Sequence, residues 1–418
     1  MRCHSVGCGM ISAAVIGRMN VAVKVREIYE KHPYPPIGRS DAAHAIWRLA
    51  PINWINALWQ PSRSFPQRIL VAGCGTGNEA FAWCHQFSRS DIVAVDFSSQ
   101  SVAIARHLQR RAPRPQRIRF LVGDLADKRF TKIVGHDFDF VSCHGVLSYV
   151  PKPERVLENL ARCLKVDGAL YLGVNGAQHR SVGSRQFLPA FGFDMTELRD
   201  SSRLRQLLKL CDAILENRGT QCFADKPASY LAGDLFGPLI RNLPLFDWTS
   251  MARNAGLYFQ SSHSAYRALR YTMEQDFPQL LIPRARWEVC ELVEKLAPTG
   301  FHRILFTRRR PANPPWQNRD ALLTWRPILT KLYTVHLPKR SCRWRALRAV
   351  TMKSSSTNTR LDWQMPEWEV EILRRSDGKH ALREILQEVA APIRRDLLLR
   401  QLYQLHQLLI INLIPCNL

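Results

Sequence analysis

The sequence predicts an α/β protein: a doubly wound parallel sheet, interrupted by a helical insertion and followed by a small helical C-terminal unit. Three observations carry this. Residues 68–174 alternate short β-branched runs with amphipathic stretches, the signature of βαβ units. The run Ile69-Leu-Val-Ala-Gly73-Cys-Gly75-Thr-Gly77-Asn78 reads as a strand, a glycine turn and a helix start. After Val174 the pattern changes to helices with loops, and two further strand-like runs follow.

Taken in order, strands are expected at Arg68–Ala72, Ile92–Asp96, Ile118–Gly123, Phe138–Cys143 and Ala169–Val174. Helices are expected at Asn78–Gln86, Gln100–Arg111 and Pro153–Leu164. Arg203–Glu216 places leucines at helical spacing, and Phe246–Ala255 forms a short helix that stops before Gly256. Leu257–Ser261 and His302–Thr307, separated by the helix Arg284–Leu296, read as closing strands of the same sheet. The prolines of 308–360, the triplet Arg308–Arg310 and the polar run Ser354–Thr359 read as a linker. Trp368–Arg375, Ala381–Val389 and Ile393–Leu409 read as three short helices of a separate unit. The expected organisation is a flexible tail (1–23), lid helices (24–60), a core (61–175), a helical insertion (176–255), closing strands (256–310), a basic linker (311–360) and a C-terminal helical domain (361–418).

Composition sets the outer limits. The chain has 418 residues, 46% hydrophobic and 22% charged, which excludes a disordered or collagen-like protein. Its longest apolar stretches, such as Leu408–Ile411 and Ala13–Ile16, fall far short of the roughly 18 residues that span a bilayer. Met10–Ile16 after Arg2 is a faint leader signal without a convincing small-residue cleavage site, and reads as a ragged start before Met19. Eleven scattered cysteines contain no CxxC pair, and Cys3 with Cys8 cannot alone build a zinc site; this suits a reducing cytoplasm. No internal repeat is present.

Net charge is +24, and between Arg303 and Arg360 fourteen Lys or Arg face one acid, Asp320. Such a block suits nucleic acid, anionic lipid or an acidic protein, although arginine exceeds lysine along the whole chain. Trp316, Trp325 and Trp344 could stack bases there; against that, Trp316 and Trp325 flank proline turns, where aromatics pack linkers onto cores. The leucine-rich Ile393–Leu409 helix reads as an interface, compatible with a homodimer.

The chemistry concentrates in residues 69–149. Glycines let the backbone turn tightly and approach a ligand, with unpaired N–H groups at the following helix start. Asp96, about 20 residues on at the end of the next strand, suits two ribose hydroxyls. Asp124, ending the third strand in Val122-Gly-Asp-Leu125, suits the exocyclic amine of an adenine.

With these residues the sequence resembles the class I S-adenosylmethionine-dependent methyltransferases. The match takes in the glycine motif, Asp96, Asp124, the segment Asp137-Phe-Asp-Phe-Val-Ser-Cys-His-Gly-Val-Leu-Ser-Tyr-Val-Pro and Leu164-Lys-Val-Asp-Gly168. That family usually has Asp or Glu just before the first glycine; this chain has Ala72, which leaves the methionine ammonium without its usual contact there. Arg26-Glu-Ile-Tyr-Glu-Lys-His-Pro-Tyr-Pro-Pro36, the segment from Ser229-Tyr-Leu-Ala-Gly-Asp234 through Asn254-Ala-Gly-Leu257, and His302-Arg-Ile-Leu-Phe-Thr-Arg308 are similar to bacterial methyltransferases with a methyltransferase regulatory domain. That group includes protein lysine methyltransferases acting on outer-membrane proteins.

The resemblance implies a Rossmann-like class I methyltransferase sheet, with the C-terminal unit helical or winged-helix, and S-adenosylmethionine as cofactor. It implies cofactor contacts from Gly73, Cys74, Gly75, Gly77, Asp96, Phe97, Asp124, Leu125 and Cys143, and no metal. Methyl transfer from a sulfonium is an in-line displacement, so alignment and exclusion of water matter most. Tyr29 and Tyr34 lie on a segment implied to cover the cofactor, and aromatic faces suit a cationic mouth. His144 and Tyr149 follow the fourth strand, at the carboxyl edge where open sheets bind ligands; these four are the catalytic candidates. The expected acceptor is a protein, through a lysine side chain. A small-molecule or RNA acceptor, and a non-catalytic cofactor-binding module, stay open.

Overall fold

The computed structural model describes residues 13–36, 51–59, 65–111, 117–216, 222–273, 285–340, 343, 347–354, 360–387, 393 and 395–416. Strands β1 (Arg68–Ala72), β2 (Asp91–Asp96), β3 (Ile118–Val122), β4 (Phe138–His144) and β5 (Leu164–Asn175) are parallel, and β6 (Tyr258–Ser262) and β7 (Phe301–Thr307) complete one sheet. The order is β3-β2-β1-β4-β5-β7-β6, with β7 antiparallel to both neighbours. This is the Rossmann-like methyltransferase architecture, with added helical and small sheet units.

The central strands are apolar on both faces because both faces are covered. Ile69, Val71, Ala94, Phe140, Tyr171 and Leu305 point to one side; Leu70, Ala72, Val93, Val141, Leu170 and Ile304 point to the other. A buried acid fixes the register at the amino edge. Asp139 accepts from the backbone N–H groups of Gln67 and Arg68, both at 2.8 Å, and pairs with Lys165 Nζ at 2.6 Å. It thereby ties together the starts of β1, β4 and β5.

Helices α1 (Ala13–Lys31) and α2 (Ile52–Leu58) precede the sheet. α3 (Asn78–Gln86), α4 (Ser99–Arg110), α5 (Phe130–Val134) and α6 (Pro153–Cys163) fall between its parallel strands. The Ser98 hydroxyl caps α4 by accepting from Ser101 N at 3.1 Å, and proline stands in the first turn of α6, where no N–H is needed. The insertion holds α7 (Ser181–Phe187), α8 (Ser202–Ile214) and α9 (Ala228–Asp234), which share a small core of Leu188, Leu204, Leu208, Phe223, Leu231 and Phe236. α10 (Leu245–Asn254) packs Trp248 and Ala252 onto the sheet instead. α11 (His263–Met273), which the sequence reading missed, follows β6 directly, and α12 (Arg286–Leu296) leads to β7.

The C-terminal region departs most from expectation. The stretch read as a linker contains α13 (Arg319–Leu322) and strands β8 (Arg326–Leu329), β9 (Tyr333–His336) and β10 (Leu347–Ser354). β10 pairs with β9 and with β11 (Arg360–Pro366), while β8 pairs with the last strand, β12 (Ile411–Ile414). Helices α14 (Glu367–Arg374), α15 (Leu382–Gln387) and α16 (Arg395–Gln407) lie close to the expected runs. The strands escaped notice because they are short and carry arginines and a proline.

Nor is this unit separate. Its core is continuous with one face of the main sheet, Tyr266 and Tyr333 share a hydroxyl hydrogen bond of 2.8 Å, and Asn412 donates to the Ala57 carbonyl. Leu398, Leu402 and Leu405 of α16 and Leu408 just after it, expected at an interface, are buried in the chain's own core. Trp316 is packed edge-on against Tyr403 at 5.1 Å, and Trp325 is buried as well; neither is free to stack a base. Trp344, the tail before Ala13 and Ser355–Thr359 lie outside the described residues. Among the described residues no helix is long and apolar enough to cross a membrane.

Candidate active site

The strand order reverses between β1 and β4, so their connections leave in opposite directions and a crevice opens at the carboxyl edge. A cavity of ≈ 2060 Å³ occupies it. β1 delivers the chain into Gly73–Gly77, where Gly73, Gly75 and Gly77 all have positive φ. Gly75 is the most constrained, because a Cβ there would overlap the Tyr34 carbonyl oxygen. Thr76 locks that approach: its N–H donates to Tyr34 O at 3.1 Å and its hydroxyl donates to Pro35 O at 2.5 Å. The segment carrying Tyr29 and Tyr34 therefore lies on the glycine turn.

Asp96 ends β2, is buried and accepts from Gly75 N (2.8 Å) and Ser98 N (2.9 Å). Burial raises its pKa from the usual carboxylate range against those two N–H bonds. Phe97 follows, edge-on to Tyr29 at 5.8 Å. Glu30 on α1 accepts from Ser99 N (2.7 Å) and Gln100 N (3.1 Å), fastening the first helix over the start of α4. Asp124 and Leu125 line the cavity past β3, with Asp124 accepting from Ala126 N at 2.8 Å.

Across the cavity stands a polar cluster that sequence reasoning did not assemble. The Tyr149 hydroxyl donates to Asp234 Oδ1 at 2.8 Å and accepts from Asn175 Nδ2 at 3.2 Å. Arg180 Nη2 reaches Asp234 Oδ2 at 2.9 Å, and its guanidinium lies 4.7 Å over the Tyr230 ring. Tyr230 meets Tyr34 at 5.6 Å. Burial, with Asp234 nearby, pushes the phenols of Tyr29, Tyr34 and Tyr149 upward, so they stay protonated. Tyr230 and Asp234 belong to the segment from Ser229 singled out above, but Asn175 and Arg180 carry no local signal.

The inner wall is different in character. His144 at the end of β4 lies between Tyr171 (5.8 Å) and Phe301 (5.1 Å), its Nδ1 without a partner among the described residues. Burial, with Arg303 beside it, pushes its pKa down to about 3, and His263 at the start of α11 falls to about 3 for similar reasons. Both imidazoles are neutral near pH 7. Arg267 and Arg303 bring two cations to this wall.

Eleven of the thirteen candidates thus line one cavity: Gly73, Cys74, Gly75, Asp96, Phe97, Asp124, Leu125, Tyr29, Tyr34, His144 and Tyr149. Two do not. Cys143 points into the core beneath the sheet, because β4 alternates its faces and His144 takes the cavity side. Gly77 lies behind the turn, where a Cβ would press on Phe81, Ala105 and Phe120.

The family model described as "Methyltransferase domain" matches residues 70–170, the span of the glycine turn, both acids and β4. The ubiquinone biosynthesis O-methyltransferase of Dechloromonas aromatica is 25% identical over 192 residues, 41% of this chain and 79% of that protein. The chain is an S-adenosylmethionine-dependent methyltransferase. Protein syc1184_c of Synechococcus sp. is similar over a longer span, 27% identical across 74% of this methyltransferase and 77% of its own length. PKMT2 from Rickettsia typhi, solved in complex with AdoHcy, shares the fold: TM-score 0.52 at 15% identity, covering 92% of this chain and 78% of that one.

Proposed function

We propose that this methyltransferase modifies protein, transferring the methyl group to a lysine side-chain nitrogen. The observation that supports it best is the tyrosine cluster around one carboxylate: Tyr34 against Tyr230, and Tyr149 bonded to Asp234. Aromatic faces attract an arriving ammonium and exclude water. Inside, desolvation lowers the pKa of an amine, and the amine reacts only when neutral. Asp234, its charge compensated by Arg180, would accept an N–H of that amine and leave the nitrogen lone pair for the methyl group.

The residues around the glycine turn fit the cofactor. The cradle over Gly73 and Gly75 leaves no room for side chains, and Asp96 and Asp124 retain acceptor capacity for ribose hydroxyls and an adenine amine. When bound, S-adenosylmethionine supplies an electrophilic methyl on sulfur. Tyr29, clamped with α1 over Phe97, would close water out, and neutral His144 would form part of the wall. The resemblance of the flanking segments to protein lysine methyltransferases and the shared fold with PKMT2 point the same way.

One observation favours a second reading. The inner wall carries two cations, Arg267 and Arg303, which suits an acceptor bearing an anionic or oxygen group, and some relatives are named as small-molecule O-methyltransferases. Incubating the protein with methyl-labelled S-adenosylmethionine and a lysate of its source cells separates the two. Label that protease removes and nuclease spares, released as methyl-lysine on hydrolysis, supports the protein reading. Label in the small-molecule or nuclease-sensitive fraction overturns it. An Asp96→Ala variant should abolish the label in either case.

A further inference from the structure

Helix α3 leaves the glycine turn with a buried carboxylate on its first turn that faces no cation among the described residues. Glu79 lines the cavity beside Gly73 and Gly75. Among the described residues it accepts only from the Ser142 hydroxyl and from Trp83 Nε1 at 3.2 Å. Ser142 lies on β4 opposite Val71 of β1, so the carboxylate stands beside the carboxyl end of β1, where Ala72 brings no charge. A buried carboxylate held only by neutral donors is costly unless a cation comes to it.

We propose that Glu79 is the counter-ion for the α-ammonium group of S-adenosylmethionine, binding the amino-acid end of the cofactor. The inference rests on the cofactor and not on the acceptor. Two features fit it. The donors to Glu79 are fixed by β4 and by the helix, so the carboxylate is positioned before the ligand arrives. Burial pushes its pKa up to about 7, so below neutrality the empty site holds a carboxylic acid. Arrival of the ammonium then breaks one O–H bond and sends that proton to solvent, leaving a carboxylate–ammonium pair.

Calorimetry on the full chain with two ligands tests this. S-adenosylhomocysteine carries the amino-acid end; 5′-methylthioadenosine shares the adenosine and sulfur but lacks it. Glu79→Gln, which keeps the side-chain shape, should weaken S-adenosylhomocysteine by about 10- to 100-fold and leave 5′-methylthioadenosine within about twofold. A second readout does not depend on the variant folding. In the natural protein, heats in buffers of different ionisation enthalpy should show about 0.9 proton released at pH 6 on binding S-adenosylhomocysteine, and about 0.1 at pH 8. Equal weakening of both ligands, unchanged affinity for S-adenosylhomocysteine, or no proton release at pH 6 each overturns the assignment. Failure of the natural protein to bind either ligand would overturn the cofactor site with it.

Discussion

Replacing Gly75 with alanine tests whether the N-terminal segment is truly seated on the glycine turn. Gly75 has φ +51, a left-handed conformation that costs an L-residue about 1–2 kcal/mol. Its new Cβ would also overlap the Tyr34 carbonyl oxygen, a backbone atom that cannot rotate away. The segment must lift, and the hydrogen bonds from Thr76 N and Thr76 Oγ1 to Tyr34 and Pro35 are lost. At about 0.5–1.5 kcal/mol each, these bring the total to about 2–5 kcal/mol. Gly256 provides the control: φ is +78 at the end of α10, but nothing lies within 4 Å of its Cβ position. Gly256→Ala should pay the conformational strain alone, about 1–2 kcal/mol. Urea unfolding of both variants, read by far-UV dichroism, gives the comparison. If Gly75→Ala unfolds no more easily than Gly256→Ala, the docking of Tyr34 on the turn is wrong.

Acid should destabilise the fold even though buried acids, Glu79 and Glu369 most of all, work against the trend. The pKa of His144 and of His263 lies near 3, that of His179 and of His302 near 4, and His406 lies well below its ordinary value, all chiefly through burial. Their folded pKa is depressed, so the unfolded chain binds more protons below about pH 6.5 and stability falls with pH. Burial raises Glu79 to about 7 and Glu369 to about 8, so these groups cost stability as pH rises above about 4.5. These five histidines set against Glu79 and Glu369 give a loss of about 2–3 kcal/mol between pH 6.5 and 5.5; an unchanged urea midpoint over that unit would rule it out. Tyr149→Phe and Asp234→Asn should each lower kcat/KM by about 10- to 100-fold while leaving S-adenosylhomocysteine affinity intact, and a double variant no worse than either would show that they act as one unit. Normal turnover in both sinks the acceptor-site reading. Trp316→Ala should cost about 3–5 kcal/mol of stability without changing retention on immobilised RNA, since its ring packs on Tyr403; weaker RNA retention at unchanged stability would reinstate base stacking.

How far the sequence alone reaches depends on how local the cause is. The strand–glycine turn–helix at 68–86 was legible because a run of apolar residues, three glycines and a helix start are consecutive in the chain, and the helix lies at Asn78–Gln86 as read. Asp96 and Asp124 were legible because a strand end fixes where an acid stands, whatever surrounds it. Cys143 shows the limit: one residue along β4 reverses the face, and only the register with β1 and β5 decides that His144 takes the cavity side and Cys143 the core.

What only the tertiary structure decided is whatever depends on distant segments meeting. Tyr149, Asn175, Arg180, Tyr230 and Asp234 come from β5, the loops after β4 and β5, and the insertion, and no spacing in the chain announces them as one cluster. The basic stretch after Arg308 looked like a linker because its strands are only four to eight residues long and gain their stability from pairing with each other and with Ile411–Ile414 at the far end of the chain. Periodicity records which face a residue turns; it does not record which remote partner that face will meet.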